Sequence, residues 1–212
     1  EGNDTLIGGV GDDQLDYFGM QEGNDTIFGG AGNDVIGSGG VDIIDGGADI
    51  DMVELNIGGS TPITLSVADM GTNTGVTLAN GTVVRNVEAV RFGASSGNDT
   101  LIINAPGLFG SAFYAGDGFD TFIADLSAYS DGFNLGGTPP LQFFAGYTLD
   151  NVDRYVITTG GGGDLLTAAG GDDILSGGGG NDELHGGHGN DTLNGGAGND
   201  TLDGDNFMNG NG

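Results

Sequence analysis

TGGGGDLLT, AAGGDDILS, GGGGNDELH, GGHGNDTLN and GGAGNDTLD, residues 159–203, follow one another without a gap. The period is nine. Aspartate recurs at 164, 173, 182, 191 and 200, with glycine two positions before each and leucine two positions after. The same phase opens the chain at Asp4, Asp13, Asp25, Asp34, Asp42 and Asp51, and two isolated copies, Asp99 and Asp120, stand between. All thirteen aspartates have an apolar residue at +2, and only Asp51 lacks glycine at −2, having Asp49 there.

A nine-residue unit of this kind reads as a glycine turn followed by a short strand, because glycine reaches positive φ without a Cβ clash. One turn and strand is half a coil. Two units close a coil of about eighteen residues, the +2 side chains of opposite strands meet in a thin core, and coils stack along an axis. The fold class this predicts is all-β, a parallel β-roll or β-helix solenoid. Stacking then sets Asp164 over Asp182 and Asp200, and Asp173 over Asp191, with strands about 4.8 Å apart.

Carboxylates that close repel unless a cation bridges them. The composition points the same way. Against 31 acidic residues stand three arginines, Arg85, Arg91 and Arg154, with no lysine, for a formal charge of −28. Nucleic acid and anionic membrane are poor partners for such a surface, since binding phosphate needs Lys and Arg to displace counterions. There is no cysteine, so neither disulfides nor thiolate metal sites are available. No apolar run is long enough to cross a bilayer, so no membrane insertion is expected, and any export signal is expected outside these residues.

Only 36% of the residues are hydrophobic and 48 are glycine. Each glycine inside an element costs roughly 0.5 to 1 kcal/mol relative to alanine, so apolar burial needs help. Carboxylate and turn carbonyl oxygens in a flexible loop suit calcium, which takes six to eight oxygens at about 2.3 to 2.6 Å; magnesium demands a tighter octahedron. The candidate metal ligands are Asp4, Asp13, Asp25, Asp34, Asp42, Asp51, Asp164, Asp173, Asp182, Asp191 and Asp200. The turns of Gly30, Gly32, Gly162, Gly171, Gly178, Gly180, Gly187, Gly189, Gly196 and Gly198 are the candidate carbonyl donors, and several Ca2+ ions are expected. Asp42 and Asp51 sit in irregular units. For Asp99 and Asp120 a structural turn and a metal role stay equally open.

The pattern Gly-Gly-Xaa-Gly-Xaa-Asp-Xaa-apolar-Xaa resembles the RTX, or haemolysin-type, calcium-binding repeat. That resemblance implies a right-handed parallel β-roll, calcium held between turns, and passage through a bacterial type I secretion channel to an extracellular or cell-surface location.

Between the arrays the nonapeptide is lost, but short runs at Ile63 to Val67, Thr82 to Val84 and Phe143 to Tyr147 predict more strands. NVEAVRFGASSGNDTL at 86–101 aligns without a gap on NVDRYVITTGGGGDLL at 151–166. The chain therefore carries two copies of a longer module. The expected division is an N-terminal array at 1–53, a central solenoid with irregular inserts at 54–158 and a C-terminal array at 159–212, together one continuous solenoid. Phe109, Phe113, Phe122, Phe143 and Phe144 are expected to fill the wider central coils, and Pro139-Pro140 to mark an edge loop.

Competing readings are weaker. His185 and His188 fall at wet positions, and the Asn-Asp-Thr sequons are by-products of the repeat. Leu165, Ile174 and Glu183 interrupt any threonine row that could face ice. Asp125, Asp131, Asp150 and Asp153 have no spacing that argues for acid/base catalysis, so no enzyme is expected. The functional expectation is a structural part of a secreted bacterial adhesin, surface-layer or matrix protein, with self-association or matrix components as partners besides calcium. The alternative is the carrier region of a type I secreted enzyme or toxin.

Overall fold

The computed structural model describes residues 2–15, 23–94, 96–108, 110–138 and 141–205, with 138 and 141–143 by their backbone. The expectations for Phe109, for the Phe143 side chain and for Pro139-Pro140 lie outside the described residues.

The short strands group into three sheets with almost entirely parallel pairing, and the one α-helix among the described residues is a single turn, Val67–Met70. The longest sheet has eleven strands, from Gln14–Leu15 through Met52–Asn56, Ala89–Gly93 and Ala112–Tyr114 to Leu165–Thr167, Glu183–His185 and Thr201–Asp203. Six strands form a second sheet, from Thr64–Ser66 through Thr121–Asp125 and Arg154–Thr158 to Thr192–Asn194. The third sheet holds Thr5–Val10, Thr26–Ala31, Ile43–Ala48, Val83–Arg85 and Val76–Thr77.

Register repeats the sequence period. Leu166 pairs with Leu184, Leu184 with Leu202, and Leu175 with Leu193, so the C-terminal coil advances by two nonapeptides. Alternation along each strand sends the +2 side chain inward. Ile27, Ile36, Ile44, Val53, Leu101, Phe122, Leu166, Leu175 and Leu184 are all fully buried, whereas Leu202 is 45% exposed.

The central coils are lengthened by inserts rather than rebuilt. Phe92 stacks on Phe113 at 5.4 Å, and Phe122 packs against Phe144, Tyr147 and Tyr155 at 6.0 to 6.5 Å. One expectation needs correction. The run Phe143 to Tyr147 is not one strand: Ala145 and Gly146 turn at positive φ, 48° and 87°, and Leu141–Phe144 pairs antiparallel with Tyr147–Asp150. The inserts also bring antiparallel pairing elsewhere, at Val76–Thr77 on Val83–Arg85 and at Asn134–Thr138 on Leu141–Phe144. A short return loop permits antiparallel neighbours, whereas a full coil permits only parallel ones.

Candidate metal centres

Each ladder aspartate has its two oxygens in different circumstances. Oδ1 accepts the backbone N–H of the matching residue one coil earlier: Asp164 N–H donates to Asp182 at 2.9 Å, Asp182 N–H to Asp200 at 3.0 Å and Asp173 N–H to Asp191 at 2.9 Å. In the N-terminal array Asp4 donates to Asp25, Asp25 to Asp42, Asp13 to Asp34 and Asp34 to Asp51, all at 2.8 to 2.9 Å. The carboxylates therefore form a ladder that holds successive turns at one spacing.

Oδ2 is the other case. In Asp13, Asp34, Asp51, Asp120, Asp164, Asp173, Asp182 and Asp191 it is buried with no hydrogen-bond partner among the described residues. For Asp164, the Thr159 hydroxyl lies in reach, but its single proton faces the Ser176 and Gly177 carbonyls. A buried acceptor left unpaired costs about 1 to 3 kcal/mol, and more when charged. Eight such oxygens rival the entire stability of an ordinary domain, roughly 5 to 15 kcal/mol. Asp42 differs: its Oδ2 accepts from the Ser38 hydroxyl at 2.7 Å and the Gly39 N–H at 3.2 Å, which satisfies it within the protein.

Glycine keeps the space beside these oxygens open. A Cβ on Gly177 would strike Asp182 Oδ2, and one on Gly186 would strike Asp191 Oδ2. At Gly180 (φ 127°) and Gly198 (φ 143°) the missing Cβ makes room for the carbonyls of Gly162 and Gly180 one coil below. Gly30, Gly32, Gly171, Gly178, Gly187, Gly189 and Gly196 meet preceding-coil carbonyls in the same way. All of these candidates have positive φ except Gly162, whose close neighbour is the backbone of Asp131 and Gly132.

Electrostatics confirm the tension. Burial pushes the Asp51 and Asp120 carboxyls up to about 6, and the charges of Asp34, Glu88 and Asp49 on the first, and Asp99, Asp153 and Asp117 on the second, add to it. Asp173 is pushed up to about 7, again first by burial and then by the charge of Asp191. Each carboxylate would rather hold a cation or a proton than stand alone. The donor set fits calcium: orphaned carboxylate oxygens, stacked turn carbonyls and no sulfur. Among the described residues no three acidic or histidine side chains gather as a metal-binding group, so backbone oxygens must complete every site.

Three features escaped the sequence reading. Residues that stand before several of the aspartates form a second ladder running the opposite way: Asn33 N–H donates to the Asp12 carboxylate, Asn190 N–H to Asp172 and Asn199 N–H to Asn181, at 2.8 to 2.9 Å. Glu88 and Asp153 extend the main ladder, accepting from Asp51 N–H at 3.0 Å and Asp120 N–H at 2.8 Å. Both lie in re-entry bulges, where Glu88 and Ala89 both donate to the Asp51 carbonyl and Asp153 and Arg154 both donate to that of Asp120. The signal was present, since NVEAV and NVDRY align Glu88 on Asp153.

Asp99 and Asp120 join the ladder too, Asp99 N–H donating to Asp120 at 2.6 Å and Ile63 N–H to Asp99 at 2.7 Å. His185 instead meets Glu183 at 2.9 Å on the strand surface, and His188 is exposed.

A search of curated proteins found no match to the chain. The RTX calcium-binding nonapeptide repeat matches in four copies, at residues 1–17, 21–53, 156–184 and 177–207. These ranges hold every aspartate of the two arrays and stop short of Glu88, Asp99, Asp120 and Asp153, so the two arrays are built of RTX calcium-binding nonapeptide repeats.

Proposed function

We propose that this chain is a non-catalytic structural segment of a secreted bacterial adhesin, surface-layer or matrix protein, one that folds when it meets extracellular calcium. The observation that carries this reading is the column of buried aspartate oxygens without partners among the described residues, in phase with the stacked glycine turns. At cytosolic calcium the carboxylates repel across every coil, and a chain of charge −28 stays expanded. Bound calcium supplies the positive charge that the three arginines do not. Once one coil is neutralised, its Oδ1 oxygens are set to receive the N–H groups of the coil before it, so folding spreads along the ladder.

The energy scale is sufficient. With free calcium a hundredfold above the dissociation constant, each site adds about 2.7 kcal/mol, so a handful of sites matches the stability of a domain. The absence of lysine and the rows of exposed acidic turns support a role as a scaffold rather than as a binder of anionic polymers.

Circular dichroism of the chelated chain during calcium titration, with magnesium as control, tests this. The expected result is a cooperative gain of β signal with calcium alone. A spectrum indifferent to chelator and to calcium would overturn the switch.

A further inference from the structure

The place where the first insert rejoins the roll departs from the repeat, and several carboxylates bear on one buried aspartate there. Asp51 is fully buried, its Oδ1 accepts Asp34 N–H at 2.9 Å, and its Oδ2 has no hydrogen-bond partner among the described residues. The carboxylates whose charge bears on it are Asp34, Glu88 and Asp49, and no cation offsets them: Arg85 is paired with Asp45 and Arg91 with Glu54. Asp49 stands where the other twelve units have glycine and is held at φ 82°, a conformation disfavoured for any residue with a Cβ.

The backbone around Asp51 reproduces the repeat without the repeat sequence. One coil earlier, the Asp34 Oδ2 and the Gly46 carbonyl both crowd the point that a Cβ on Gly29 would take. At Gly46 the corresponding point is crowded by Asp51 Oδ2 and by the carbonyl of Asn86, forty residues further along the chain. Asn86 reaches this place by adopting φ 51°, and two residues later Glu88 closes the ladder on Asp51 N–H at 3.0 Å.

We propose that this seam is a calcium site of its own, formed by the Asp51 carboxylate with the Asn86 carbonyl and the Glu88 carboxylate, two donors outside every nonapeptide. The proposal rests on the calcium-binding reading of the arrays and goes beyond it, because the ion here ties the N-terminal array to the insert. A cation at the seam neutralises the Asp51 and Glu88 carboxylates and fastens residues 86–89 onto the turn of residues 46–51. The N-terminal array thereby gains one more metal-bound turn than its own repeats provide, and the re-entry of the chain becomes calcium-dependent.

The test is calcium binding to the whole chain by isothermal titration calorimetry, comparing the unaltered protein with Glu88→Gln. The glutamine keeps an oxygen for Asp51 N–H and removes only charge. The expected result is one site weakened at least about tenfold, with the remaining sites unchanged. Identical stoichiometry and affinities would overturn the seam site while leaving the array reading intact; no calcium uptake by the unaltered chain would overturn both. Should Glu88→Gln fail to fold, hydrogen exchange on the unaltered chain decides. Calcium-dependent protection of the Glu88 and Ala89 amides supports the site, and protection in calcium that ends at Asp51 overturns it.

Discussion

The C-terminal array and the central coils use the same parallel pairing and the same carboxylate ladder, yet their interiors are unlike. Residues 165–203 bury Leu166, Leu175 and Leu184, one leucine per half coil, with Leu193 partly covered. Residues 89–158 bury Phe92 stacked on Phe113, and Phe122 set edge-on or tilted against Phe144, Tyr147 and Tyr155. An aromatic side chain buries about 150 to 250 Å2, so the centre gains from apolar burial what the array leaves to a cation. Coil size follows: glycine turns force a thin section, and the inserts widen it enough for rings.

That contrast can be broken from either side. The largest effect is expected from Phe122→Ala, which removes the ring shared by three aromatic contacts. Loss of about 3 to 5 kcal/mol is expected at saturating calcium, measured by urea denaturation. A loss well below this would mean that metal, not packing, holds the centre.

Asp182→Asn should act in the opposite sense on the two states. The amide oxygen still accepts Asp164 N–H, but the charge is gone. In excess calcium the C-terminal array loses about 2.7 kcal/mol, the worth of one site at a hundredfold saturation. In chelator the same substitution stabilises, because a buried uncompensated carboxylate has been removed. Thermal melts in calcium and circular dichroism in chelator read the crossing; a lower Tm in calcium with no gain of β signal in chelator would show the ladder to be structural only.

Acid gives the smallest and most selective effect. The Asp51, Asp120 and Asp173 carboxyls are raised in the folded chain, so folding takes up protons between about pH 4 and 7. Without calcium, stability is therefore greater below this window and is lost as pH rises through it. Moving the chelated chain from pH 7.5 to 5 should therefore draw part of it toward the folded state, read as a gain of β signal in circular dichroism. With calcium present the sign reverses, since protons compete for the same oxygens.

Much of the candidate site was legible before the structure. The phase of Asp, glycine at −2 and an apolar residue at +2 foretold which strands stack and that Asp182 lies between Asp164 and Asp200. What could not be read was the use of each oxygen. Asp42 shares the motif, yet Ser38 and Gly39 occupy its Oδ2; Glu88 lacks the motif, yet closes the ladder. A motif records spacing along the chain, whereas a carboxylate's partners depend on what another coil brings to it.

The sequence by itself determined the parallel stacked architecture, the cation partner and the inward row, because period, glycine and charge are local and repeat in every unit. Only the tertiary structure decided the antiparallel returns at residues 134–150, the ring packing of the centre and the seam of Asp51 with Asn86 and Glu88. Those depend on where inserts without any period re-enter the roll, and that is set by which side chains fill the widened section rather than by any repeating instruction in the chain.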